Sequence, residues 1–125
     1  MPRSERIDLQ VAENLHRVNP ENLQLLNKYK VDMTIRDLSQ GTQYQYLTDL
    51  KMWFVWIVDN QNNRSVLELE DDDITEWLYF CKSQGNITAR ITFRISAISS
   101  FYKFLRKKNT YLPIRRSSSR LRKSM

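Results

Sequence analysis

Glycine occurs twice and proline three times in 125 residues. Where breakers are this scarce, those present mark boundaries, and each falls between segments whose apolar residues recur at helical spacing. No segment alternates with the period of two that a half-buried strand needs, so the chain is expected to be all-α. In the first segment Ile7, Val11, Leu15 and Val18 form an amphipathic arm or short helix. Asn19-Pro20 then supplies an N-cap and a proline at the first helical position. The helix it opens carries Leu23, Leu26, Tyr29 and Met33 on one stripe and should end near Asp37. After Ser39-Gln40-Gly41, Thr42 and Gln45 match a capping box. The long helix that follows, to about Asn60, should bury Tyr46, Leu50, Trp53, Phe54 and Ile57, leaving Tyr44, Gln45, Thr48 and Lys51 on the opposite arc. A polar loop over 60–64 precedes a third helix from about Asp71, with Ile74, Trp77, Leu78 and Cys81 inward and Gly85 as its stop. The fourth, from about Thr88 to Lys107, should bury Ile91, Ile95, Ile98, Tyr102 and Leu105.

The length suits one domain with a real core, and the segments divide it into an N-terminal arm over 1–19, a four-helix body over 20–113 and a basic tail over 114–125. The tail, RRSSSRLRKSM from Arg115, has almost nothing to bury and is expected to be disordered until it meets a partner. No apolar run reaches the roughly 18 residues of a membrane span, and the N-terminus lacks the apolar core of a signal peptide. The expected location is therefore cytoplasmic, without membrane association. The lone cysteine, Cys81, and lone histidine, His16, exclude an internal disulfide and any Cys/His metal cluster. Cys81 reads as a small core hydrophobe and His16 as a solvated side chain. Asp71-Asp72-Asp73 reads as a helix start favoured by the macrodipole and not as a metal site. Trp53 and Trp77 fall in core arcs, and Trp56 lies at a flank where packing on a neighbouring helix is favoured over stacking on a ligand. No cofactor is implied.

Charge is segregated along the chain. Residues 1–76 hold 8 Lys/Arg and 14 Asp/Glu, whereas residues 77–125 hold 12 and none, for a net charge of +6. A solvated helix usually mixes signs to gain i,i+4 pairs. A fourth helix with Arg90, Arg94, Lys103, Arg106 and Lys107 and no acid therefore points to an external anion. Double-stranded DNA is the first candidate; a helical module docking an acidic protein and a tail binding anionic membrane are the alternatives.

Three stretches carry a resemblance. Arg94-Ile95-Ser96-Ala97-Ile98-Ser99-Ser100-Phe101-Tyr102 is similar to the Arg-Leu-Ser-Ala-Leu-Arg-Ser-Phe-Tyr signature of the core-binding domain of tyrosine recombinases and phage integrases. Thr42, Tyr46, Asp49, Leu50, Phe54 and Ile57 resemble that domain's second helix, and Leu67, Asp73, Ile74 and Leu78 the start of its third. The resemblance covers about residues 20–113. It implies a four-helix domain forming half of a clamp on recombination-site DNA, with its second and fourth helices at the major groove. It also implies that strand cleavage and joining belong to a downstream catalytic domain, so that this part binds without cutting, in company with other recombinase protomers. Carried over position by position, the DNA-facing residues are Thr42, Tyr44, Gln45, Thr48 and Lys51, then Asn86, Thr88, Ala89, Arg90 and Phe93, with Arg94 at the edge. Lys103, Arg106, Lys107, Arg115 and Arg116 add phosphate contacts. Ala89 and Phe93 depart from the polar residues usual at their positions, and Ser99 stands where the signature has arginine.

Overall fold

The computed structural model describes residues 11–108, and among them there is no strand. Helix α1 spans Pro20–Ile35, α2 Gln40–Asn60, α3 Asp71–Ser83 and α4 Thr88–Lys107. A helical turn over residues 11–14 and a 3-10 turn at Leu15–Arg17 precede α1, and a second 3-10 turn at Val66–Glu68 precedes α3. The all-α, four-helix expectation holds. Residues 1–10 and 109–125, with Ile7, Arg115, Arg116 and the basic tail, lie outside the described residues.

Local signals set the boundaries. The Asn19 side chain accepts from the Asn22 amide at 2.8 Å, with Pro20 as the first helical residue. Helix α1 ends at Ile35, and Asp37 turns the chain at φ 62°. Helix α2 starts one turn earlier than the capping-box reading placed it: the Ser39 hydroxyl accepts from the Thr42 amide at 3.1 Å. Gly41 therefore lies inside the first turn, and Thr42 is already helical. Gly85, at φ 94°, closes α3 in the left-handed region that a residue with a side chain rarely adopts.

The core lies between α1, α2 and α4, with α3 covering one side. Leu25, Leu26, Tyr29 and Met33 meet Leu50, Trp53, Phe54 and Ile57 and then Ala97, Ile98, Phe101, Tyr102 and Leu105. The Tyr29 and Phe101 rings pack edge-on with centroids 5.4 Å apart. Tyr29 Oη also bonds Ser100 Oγ at 2.6 Å, and the Tyr102 hydroxyl donates to the Val66 carbonyl at 2.6 Å. Val66 and Leu69 are fully buried core members between the second and third periodic segments.

Several expected core residues are less enclosed than the helical wheel placed them. Leu23, Tyr46, Ile74, Leu78 and Ile91 are only half-buried, and Ile95 is 44% exposed beside a groove that α3 covers incompletely through Ile74 and Leu78. The inward face of α4 takes Arg94, Ala97 and Phe101 instead. Trp56 packs on Trp77 and Phe80, with centroids 5.5 and 5.9 Å away, in agreement with the packing expectation. Asp73 accepts from the Glu70 amide at 2.9 Å and pairs with Arg64 at 3.0 Å, so its carboxylate serves the start of α3.

Candidate nucleic-acid interface

Helices α2 and α4 meet through a polar junction built on Asp49. This carboxylate flanks the apolar stripe of α2 and is only 3% exposed. A buried carboxylate requires cationic partners, and here both come from the first turns of α4. Arg90 Nη2 donates to Asp49 Oδ1 at 2.6 Å, and Arg94 Nη1 lies 3.6 Å from the same oxygen. Gln45, one turn before Asp49, faces Arg90 with its side-chain amide, and the orientation that satisfies both ends of that amide is the one with the oxygen toward Arg90, where it accepts from Nη1 at 2.8 Å and from Nη2 at 3.2 Å. Its amide also bonds Asp49. Burial pushes the Asp49 carboxyl above its ordinary value, against the opposing pull of Arg90, Arg94 and the Gln45 bond.

Arg94 belongs to the interior. It is 5% exposed, its Nε donates to Asn86 Oδ1 at 2.9 Å, and its guanidinium lies 5.4 Å from the centre of the Trp77 ring. Burial lowers its pKa from the ordinary arginine value, with the neighbouring Cys81 and Asp49 side chains opposing that shift. The edge position that the resemblance implied for Arg94 is thereby corrected: the side chain is enclosed by α2, α3 and the α3–α4 turn. Asn86, half-buried, is occupied in holding it. The isolated-sequence argument that the acid-free α4 must face an external anion fails for these two arginines, whose counter-ion is supplied by α2.

The other carried-over residues surround this junction. On α2, Tyr44 is 54% exposed, and Thr42, Gln45, Thr48 and Lys51 are half-buried. On α4, Thr88, Ala89 and Phe93 are exposed beside the half-buried Arg90. Since Gln45 and Arg90 touch, their immediate neighbours Tyr44 and Thr48 on α2 and Ala89 and Phe93 on α4 are brought to adjoining surface. Lys103, Arg106 and Lys107 are exposed three and four turns further along α4, where cations also favour the helix C-terminus. The junction and the far end of α4 are thus two separate sites of positive charge. Asp49 was recognised in the sequence as part of a family pattern but not as a buried ion. The available signal was an aspartate bordering Leu50 and Trp53, a place where a carboxylate is retained only if paired.

Described residues contain no group of three or more His, Cys, Asp or Glu side chains arranged to hold a metal. No helix among them is long and apolar enough to cross a membrane. What the geometry shows is two helices locked together at their polar edges.

Comparison with known proteins agrees with this architecture. Residues 26–109 match the family model described as phage integrase, N-terminal SAM-like domain. The tyrosine recombinase XerD of Oceanobacillus iheyensis is 36% identical over 70 residues, which cover 56% of this chain and 24% of that protein. The tyrosine recombinase XerD of Halalkalibacterium halodurans is 31% identical over 91 residues, covering 73% of this chain and 29% of that protein. The chain therefore spans less than a third of the curated relatives it matches. No solved structure matches significantly. What is matched is the N-terminal SAM-like domain and not a catalytic one. Carried along most of α1 and the whole of α2, α3 and α4, that match establishes that the chain belongs to the N-terminal SAM-like domain family of phage integrases and tyrosine recombinases.

Proposed function

We propose that this domain binds double-stranded DNA at a recombination site as the non-catalytic half of a clamp, presenting α2 and α4 to the major groove. A catalytic domain downstream performs phosphoryl transfer, and further recombinase protomers occupy the same DNA. The domain works in the cytoplasm and joins the nucleoid when bound. The body responsible is residues 20–113, with the arm over 1–19 and the basic tail over 114–125 as accessories.

The observation that carries this reading is the bond from Arg90 on α4 to Asp49 on α2 at 2.6 Å, which joins the two helices into one surface bearing Tyr44, Thr48, Lys51, Thr88, Ala89 and Phe93. An α-helix fits the major groove, and polar or small side chains on its outer face reach base edges there. Lys103, Arg106 and Lys107 supply the phosphate contacts that set register without reading sequence.

Fluorescence anisotropy of the 125-residue chain on labelled duplex, across a salt series, tests the reading. If about four to six phosphates are neutralised, log K falls against log salt with a slope of about −0.9 per phosphate. A slope near zero, or stronger binding to anionic vesicles than to duplex, would overturn it.

A further inference from the structure

Arg90 was expected to present its guanidinium outward, and its hydrogen bonds contradict that. A guanidinium has five N–H donors. Nη2 is engaged by both Asp49 and Gln45, and Nη1 by Gln45. The end-on fork formed by Nη1 and Nη2 therefore closes on the Gln45 oxygen, and Asp49 takes the remaining Nη2 donor. What is left, Nε–H and the outer hydrogen of Nη1, points to opposite sides of the plane's axis and cannot grip one acceptor group bidentately. The side chain is nevertheless 31% exposed at the junction of the two proposed DNA-facing helices. It is held at the surface without being offered to it.

The charge at this point sorts acceptors. A phosphate approaching the Arg90 fork meets the Asp49 carboxylate, whose Oδ1 lies 2.6 Å from Nη2, and like-charge juxtaposition at an interface is costly. A guanine edge offers two neutral acceptors, O6 and N7, spaced for an arginine fork. It can replace the single Gln45 oxygen while Asp49 stays in place as counter-ion. Gln45 can swing aside because its side chain is only half-buried, at the loss of its bonds to Arg90 and Asp49. Asp49 cannot follow, being 3% exposed and shared with the buried Arg94.

Resting on the DNA-binding reading above, we propose that Asp49 is a specificity-determining residue of this domain. It withholds Arg90 from phosphate and, with Gln45 as a displaceable stopper, reserves the Arg90 fork for a guanine edge in the major groove. Asp49 acts through Arg90 and is a positioning residue; Arg90 makes the contact. Discrimination between acceptors is obtained by penalising the wrong one as well as by favouring the right one.

The test uses the 125-residue chain with two duplexes, one of random sequence and one enriched from a random pool by repeated binding. Affinity is measured over a salt series. Arg90→Met leaves Asp49 with Arg94 as its remaining counter-ion, and circular dichroism checks that the variant folds. This variant should lose at least about fivefold of the preference for the enriched duplex, while its salt slope on random duplex changes by less than the roughly 0.9 of one phosphate contact. Asp49→Asn removes the restraining charge. It should tighten binding to random duplex, steepen the salt slope by about 0.9 and shrink the same preference. A merely structural role for Asp49 predicts weaker binding to both duplexes by one factor, and that result would overturn the proposal. So would an Arg90→Met variant whose salt slope flattens by about one phosphate or whose preference is intact. If Asp49→Asn does not fold, the Arg90→Met result decides alone. Replacing Lys103, Arg106 and Lys107 together by Ala serves as the control: it should flatten the slope without changing the preference. Absence of any salt-dependent duplex binding by the unaltered chain would instead overturn the DNA-binding reading.

Discussion

Asp49 sits between two arginines, yet its carboxyl is pushed up and not down, because burial of the ion outweighs the attraction of Arg90 and Arg94. Asp59 shows the opposite balance. It is exposed, and its bond from Arg17 at 2.8 Å holds its carboxyl below the ordinary value. The two residues consequently respond to acid with opposite signs. For Asp59 the stabilisation is present above the unfolded pKa and lost as pH falls through the lower folded value. For Asp49 the folded state takes up its proton at a higher pH than the unfolded chain does. Acidification through that interval therefore favours the folded state at this residue, even as the bond to Arg90 weakens. Carboxyl carbon NMR titration should find Asp49 titrating at higher pH than Asp59. The reverse order would mean that the arginines win over desolvation.

At the scale of the helix, α4 separates periodicity from burial. Ile91, Ile95 and Ile98 recur at spacing suited to one stripe, but Ile98 is 6% exposed and Ile95 44%. The wheel gives a direction for the apolar face, and the width and cover of the neighbouring α3 decide how much of that face is closed. Truncating Ile98 or Leu50 to Ala should cost about 2 to 5 kcal/mol, because each leaves a cavity in close-packed surroundings. Ile95→Ala should cost less than about 1 kcal/mol, since nearly half of its surface stays in water in the folded state. Urea unfolding of the three variants checks this. Equal losses for Ile95 and Ile98 would place the α4 register elsewhere.

For the whole molecule, the net charge of +6 divides into cations already matched and cations available to a partner. Arg90 and Arg94 are matched by Asp49, Arg64 by Asp73, Arg36 by Asp32 and Arg17 by Asp59. On the proposed DNA-binding reading, the end of α4 and the basic residues over 114–125 would supply sequence-independent attraction. Deleting residues 114–125 should weaken enriched and random duplexes by a similar factor and flatten the salt slope. The deletion removes Arg115, Arg116, Arg120, Arg122 and Lys123 without touching the α2–α4 junction. Anisotropy with both duplexes measures it, and a loss confined to the enriched duplex would assign sequence reading to the tail.

Helix number and order, the Asn19-Pro20 start and the Gly85 stop were legible in the chain, because capping, left-handed turns and helical period are local and need no neighbour to be recognised. The family resemblance was legible for a related reason: its three motifs are helix patterns in register, and the match over residues 26–109 follows them. Which surface the basic half presents was not legible. Read along the chain, α4 has five arginines and lysines from Arg90 to Lys107 and no acid, so its charge was expected to face an external anion. Folding brings Asp49 from 41 residues away onto Arg90, turns Arg94 into a core residue, and closes the fork that position in the helix had marked for DNA. The sequence by itself determined where the helices lie and which residues could carry charge to a ligand. Only the tertiary structure decided which charges are already spoken for, since a salt bridge depends on the separation of two groups in space and helical periodicity carries no information about that distance.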